Sequence, residues 1–138
     1  MTSPNASIAE RLPVRATALT ILVAMGAVYW FIAALVVRWT AANWVGNNAM
    51  TMVVFGLIVL ATVPALLLGM RLASLERARA QISATVMTGT ALLLDGLALI
   101  WIPTLYGTDP QVVVGGAASI MWGAGVALVL GMVLERRG

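Results

Sequence analysis

Four apolar runs, each about twenty residues long, alternate with short polar segments along the chain. They cover roughly 16–37, 50–70, 82–105 and 112–134. A hydrocarbon core about 30 Å thick takes about 20 residues of helix to cross. The pattern predicts an all-α membrane protein, a four-transmembrane-helix antiparallel bundle in which sequence neighbours pack together. Residues 1–15, "MTSPNASIAERLPVR", read as a polar cytoplasmic tail, and 16–138 as the transmembrane domain. Pro4 and Pro13 make the tail irregular, and Pro13 suits the approach to a helix. The first apolar run exceeds the roughly 7–15 residues of a signal-peptide core, so it reads as a retained span.

The polar breaks carry their own expectations. "RWTAANWVGNN" is polar enough to lie along a membrane surface, and "YGTDPQ" reads as a tight turn around Asp109-Pro110. "RLASLERARA", with its mixed charges and good helix formers, reads as a solvated hairpin linker.

Composition explains which solvent the chain needs. It is 62% hydrophobic and 9% charged, against about 25% charged in soluble domains. So few charges cannot cover a soluble surface, and lipid takes water's place. Cysteine and histidine are both absent. Disulfides, zinc–thiolate sites, haem ligation by His, thiol nucleophiles and imidazole bases are thereby excluded. Glu10, Glu76, Asp95, Asp109 and Glu135 are scattered and suggest no metal cluster. The expectation is a protein that is not an enzyme and carries no cofactor.

The basic balance, with a pI near 10.7, concerns topology. The arginines flank apolar runs and form no stripe interleaved with aromatics, so nucleic acid is not an expected partner. Arg11, Arg15, Arg71, Arg77, Arg79, Arg136 and Arg137 fall on one side, Arg38 on the other. By the positive-inside rule both termini are cytoplasmic. Trp39, Trp44, Trp101 and Tyr106 sit at the opposite boundary, as an aromatic belt would. Arginine without lysine, among much Ala, Gly and Val, reads as a GC-rich bacterial product of the cytoplasmic (inner) membrane.

The candidate chemistry centres on Asp95, in "GTALLLDGLALIW". A carboxylate deep in a span is costly and by default faces protein or trapped water. Thr88, Ala91, Asp95, Ala98 and Ile102 share one helical stripe. Counted from the span ends, Tyr29, Thr62 and Ser119 lie at comparable depth, and each could donate a hydrogen bond to Asp95. Together with Asp95 they make the candidate proton or ion site. Arg38 is a candidate ion-pair partner, against the alternative of snorkelling to head groups. Gly115, Ser119, Gly123, Ala127 and Gly131 recur every fourth residue, a stripe suited to close helix packing within the chain or between copies. Pro64 removes an amide donor and frees the Leu60 carbonyl, so a kink is expected there, with Thr62 placed to help repair it. Trp30 and Trp122 read as core or lipid contacts, against the alternative of a box that stacks on a ligand.

At these residues the chain resembles a bacterial family of small four-span membrane proteins catalogued as a domain of unknown function. The resemblance rests on Trp30 and Arg38 in the first span, the proline of "TVPALLL", the segment "LLLDGLALIWIPTLYG", and "GAASIMWGAG" in the fourth span. It departs where the family has Pro-Gly before Leu-Leu-Asp and this chain reads "MTGTALLLD". The resemblance implies the four-span fold and draws attention to Asp95, but brings no activity. Two functions remain open. One is an accessory or structural membrane subunit in which Asp95 is a buried acceptor. The other is a proton- or cation-coupled small transporter working as a homo-oligomer. Expected partners are the lipid bilayer and either further copies or a larger membrane complex.

Overall fold

The computed structural model of the chain describes residues 14–137. The readings placed on Pro4, Arg11 and Pro13, and most of the 1–15 tail, fall outside them. Four long helices dominate: α1 (Ala16–Trp44), α2 (Asn48–Leu72), α3 (Ala80–Trp101) and α4 (Pro110–Arg136). Short 3₁₀ turns, Arg77–Arg79 and Pro103–Leu105, precede and follow α3. All four are long and apolar enough to cross a membrane.

α1 runs seven residues past the expected end at Val37. Nothing in "RWTAANW" breaks a helix, and two of its polar side chains bond along the helix itself. Thr40 Oγ1 donates to the Val36 carbonyl at 2.7 Å, and Trp44 Nε1 to Thr40 Oγ1 at 3.2 Å. The helix stops where Val45 turns extended and Gly46 takes φ +88°, a conformation that glycine alone adopts freely. The first connection is therefore a corner of Val45, Gly46 and Asn47 rather than a surface-lying segment. Asn47 then caps α2, accepting from the Met50 amide at 3.2 Å.

α3 ends earlier than the apolar run does. Pro103 disfavours helical geometry at Ile102, which sits at φ −137°, ψ 55°. The chain turns back through Pro103–Leu105 and Gly107 (φ +147°) to Asp109. Asp109 accepts from the Gln111 amide at 2.8 Å, and Pro110 occupies the first turn of α4. Asp109-Pro110 is thus a helix start, not the apex of a turn. Pro64 lies within α2, which continues through it.

The packing order departs from the hairpin expectation. α3 packs most extensively, against α1 on one side and α4 on the other, while α2 rests chiefly on α4. α2 and α3, consecutive in the chain, touch least of all the helix pairs. The parallel pairs α1–α3 and α2–α4 are therefore close neighbours. Small residues decide this. A Cβ at Gly26 would stand 2.5 Å from the Met87 carbonyl oxygen, so α1 and α3 meet backbone to backbone. A Cβ at Gly131 would stand 2.6 Å from Ala84 Cβ, which joins α4 to α3.

Two apolar clusters form inside the bundle. One gathers Leu22, Leu66, Met70, Ala84 and Met87 toward the arginine-bearing end. The other gathers Ala34, Val37, Ala41, Trp44, Ala98 and Tyr106 toward the tryptophan-bearing end. Large apolar side chains such as Ile32, Leu60, Leu93 and Val129 point outward, the surface that lipid covers. The expected aromatic belt is only half present. Trp39 and Trp101 are exposed, but Trp44 and Tyr106 are core residues. Trp44 shares a helix face with Val37 and Ala41, and Tyr106 is returned to the interior by the turn after α3.

Candidate functional site

Asp95 is buried, on one face of α3 with Thr88 and Ala98, and Ala91 is half-buried between them. Ile102, expected on the same stripe, lies beyond the helix end and is exposed. Asp95 stands six residues before Trp101, about 9 Å along the axis, and so on the tryptophan side of the helix centre. The helix ends at Trp101 while the apolar run continues to Leu105, so the carboxylate is shallower than the run implies.

That displacement determines its partner. Tyr106, fully buried, donates its hydroxyl to Asp95 Oδ1. Trp30 Nε1 in turn donates to the Tyr106 oxygen at 3.2 Å. Burial, and then the hydrogen bond to Asp95, raise the Tyr106 phenol above its ordinary range, so it stays a protonated donor. The network joins α1, α3 and the turn between α3 and α4. The sequence signal for it was Pro103. A helix broken there, with Tyr three residues later, can fold its phenol back onto the last turns of the helix.

The hydroxyls expected at Asp95 bond elsewhere. Tyr29 donates to the Ala65 carbonyl at 2.9 Å, Thr62 to the Ile58 carbonyl at 2.7 Å, and Ser119 to the Gly116 carbonyl at 2.7 Å. Thr62 and Ser119 follow the usual habit of such residues inside helices, bonding back to the preceding turn. Neither Tyr29 nor Thr62 takes up the Leu60 carbonyl freed by Pro64. Arg38 donates to the Thr104 carbonyl, and no ion pair to Asp95 forms among the described residues. Arg38 thus fastens α1 to the same turn that carries Tyr106.

The small-residue stripe of α4 turns inward. Gly115 faces Val45, Gly123 faces Ile58 of α2, and Gly131 faces α3. Ser119 is buried, and Ala127 lines the central cavity. Gly116, outside the stripe, packs on Val37. Trp122 stacks on Phe55, with ring centroids 5.4 Å apart, and donates to the Phe55 carbonyl at 3.2 Å, clamping α4 to α2.

The two apolar clusters bound a cavity of about 370 Å³ among all four helices. Tyr29, Thr62, Asp95 and Ser119 all border it, although their hydroxyl and carboxyl groups do not bond one another. Among the described residues Asp95 is its one acidic or basic lining residue. A second hollow of about 180 Å³, lined by residues of α3 and α4, also borders Asp95.

Comparison with protein-family models, curated proteins and solved structures finds no match to this chain. The family resemblance rests on the quoted segments alone. What stands is a four-span membrane protein with a buried Asp95 in its third helix.

Proposed function

We propose that this chain is a non-catalytic accessory or structural subunit of a bacterial cytoplasmic membrane, with both termini on the cytoplasmic side. In this reading Asp95 is a buried acceptor that keeps the helices in register. The observation that carries it is the engagement of Asp95 by Tyr106, itself held by Trp30. A proton pathway through Asp95 needs exchangeable groups to pass the proton on. Tyr29, Thr62 and Ser119, which border the same cavity as Asp95, give their hydroxyl hydrogens to backbone carbonyls instead. A carboxylate within a span is costly unless it faces protein or water, and hydrogen bonds to a carboxylate are among the stronger ones. The Tyr106 contact offsets part of that cost.

The second reading, a proton- or cation-coupled transporter working as a homo-oligomer, is favoured by one feature, the cavity that borders Asp95. Vesicles holding the purified protein and a pH-sensitive dye separate the two. Under an imposed pH gradient, wild type and Asp95→Asn should acidify at the same rate. Faster proton entry through wild type than through Asp95→Asn would overturn the subunit reading.

A further inference from the structure

We propose that the central cavity binds one lipophilic organic cation, an apolar body carrying a quaternary or protonated amine, with Asp95 as its counter-charge. Three observations converge on that ligand class. The first is size. At about 370 Å³ the cavity falls within the range of about 300–1,000 Å³ typical of small-molecule sites. The second is the wall. It is built mostly of Ala, Val, Ile, Leu and Met side chains, with the aromatic residues Tyr29, Trp30 and Trp44 among them. Such a wall favours an apolar guest, and aromatic faces attract a cation.

The third observation is charge. Among the described residues Asp95 is the one acidic or basic residue lining the cavity. Tyr106 occupies Oδ1, and a carboxylate has about four acceptor positions. No ion pair to Asp95 forms among the described residues, and Arg38, the pairing candidate singled out above, is bonded to Thr104. A buried carboxylate without a cation is completed by a guest that brings one, whereas an anionic guest would meet repulsion and a neutral chain would leave the carboxylate as it is. The route of entry points the same way. Ile32, Val36 and Leu92 line the cavity and are also exposed on the lipid-facing surface. A guest entering there must first partition into the bilayer, which selects lipophilic molecules. Binding alone is proposed, so the site is compatible with a subunit that moves nothing.

The test uses the full chain in nanodiscs of neutral phosphatidylcholine, with protein-free nanodiscs subtracted. The probe is radiolabelled dodecyltrimethylammonium, and dodecanol supplies the same chain without the charge. Wild type should bind the cation saturably, with one equivalent per chain and at least about tenfold more tightly than dodecanol, a difference of about 1.4 kcal/mol. Asp95→Asn, which keeps an acceptor for Tyr106, should lose that preference. Ala61→Trp, placed in the cavity wall at an exposed position, should weaken both probes. Equal affinity for the two probes on wild type would mean an apolar cavity without charge recognition and would overturn the proposal. So would the absence of saturable binding above empty nanodiscs, or an unchanged cation affinity in a folded Asp95→Asn. Because the cation–dodecanol comparison runs on wild type, the outcome stands even if Asp95→Asn fails to fold.

Discussion

At the scale of single residues, the energetics of the bundle interior concentrate on the pair Asp95 and Tyr106. Removing one member leaves the other buried without its partner, and that costs more than the bond contributes. Asp95→Leu should lower stability by about 1–3 kcal/mol, measured by thermal unfolding in mild detergent, while Asp95→Asn should stay close to wild type. Tyr106→Phe should cost a similar amount by stranding the carboxylate. The double variant Asp95→Leu with Tyr106→Phe should cost less than the sum of the two, because the second change removes the orphan left by the first. Strict additivity would mean that the two side chains do not depend on each other. That Asp95 would be buried followed from a carboxylate in a long apolar run. That Tyr106 would be its partner did not, because the partner comes from a residue that the apolar pattern assigns to the membrane surface.

Among the helices, glycines decide which ones can touch. Gly26 and Gly131 mark the contacts of α3 with α1 and α4. Gly26→Ala would push a methyl into the Met87 backbone carbonyl, which cannot rotate away, and should destabilise by about 1–3 kcal/mol. Gly125 has nothing within 4 Å of the position a Cβ would take. Gly125→Ala should therefore be neutral or stabilise by about 0.5–1 kcal/mol, the usual difference between the two residues in a helix interior. Equal melting temperatures for the two variants would contradict the close α1–α3 crossing. Gly123 should be intermediate, since its neighbour is a methyl of Ile58 at 3.1 Å and side chains can shift. The α4 stripe was legible as a repeat of small residues. Which helices it meets was not, because a four-residue repeat drifts around the helix and here faces three different parts of the chain in turn.

For the molecule as a whole, the arrangement of charge gives the orientation to be tested. Arg15, Arg71, Arg77, Arg79, Arg136 and Arg137 lie at one end of the bundle, by their positions at the ends of α1 to α4, and Arg38 lies toward the other. With the arginine-rich end cytoplasmic, a cysteine at Asn48 should react with an impermeant thiol reagent in intact cells, and one at Ala78 should not. Both positions are exposed, and Asn48 is preferred to Asn47, whose side chain caps α2. Labelling at Ala78 alone would reverse the orientation.

Long apolar runs by themselves determined the number of helices, their lengths to within a turn or two, and the lipid environment. Hydropathy is a local property, and the bilayer reads it one span at a time. The order of packing, the burial of Trp44 and Tyr106, and the site around Asp95 were decided only in three dimensions. Contacts between spans depend on where small side chains let backbones approach and on how each helix ends. Val45–Gly46 and Ile102–Pro103 are short local breaks, but their consequences are distant. The first lets α1 continue to Trp44 and so places that side chain in the core. The second carries Tyr106 back to a carboxylate eleven positions before it. Neither consequence is visible until the helices meet.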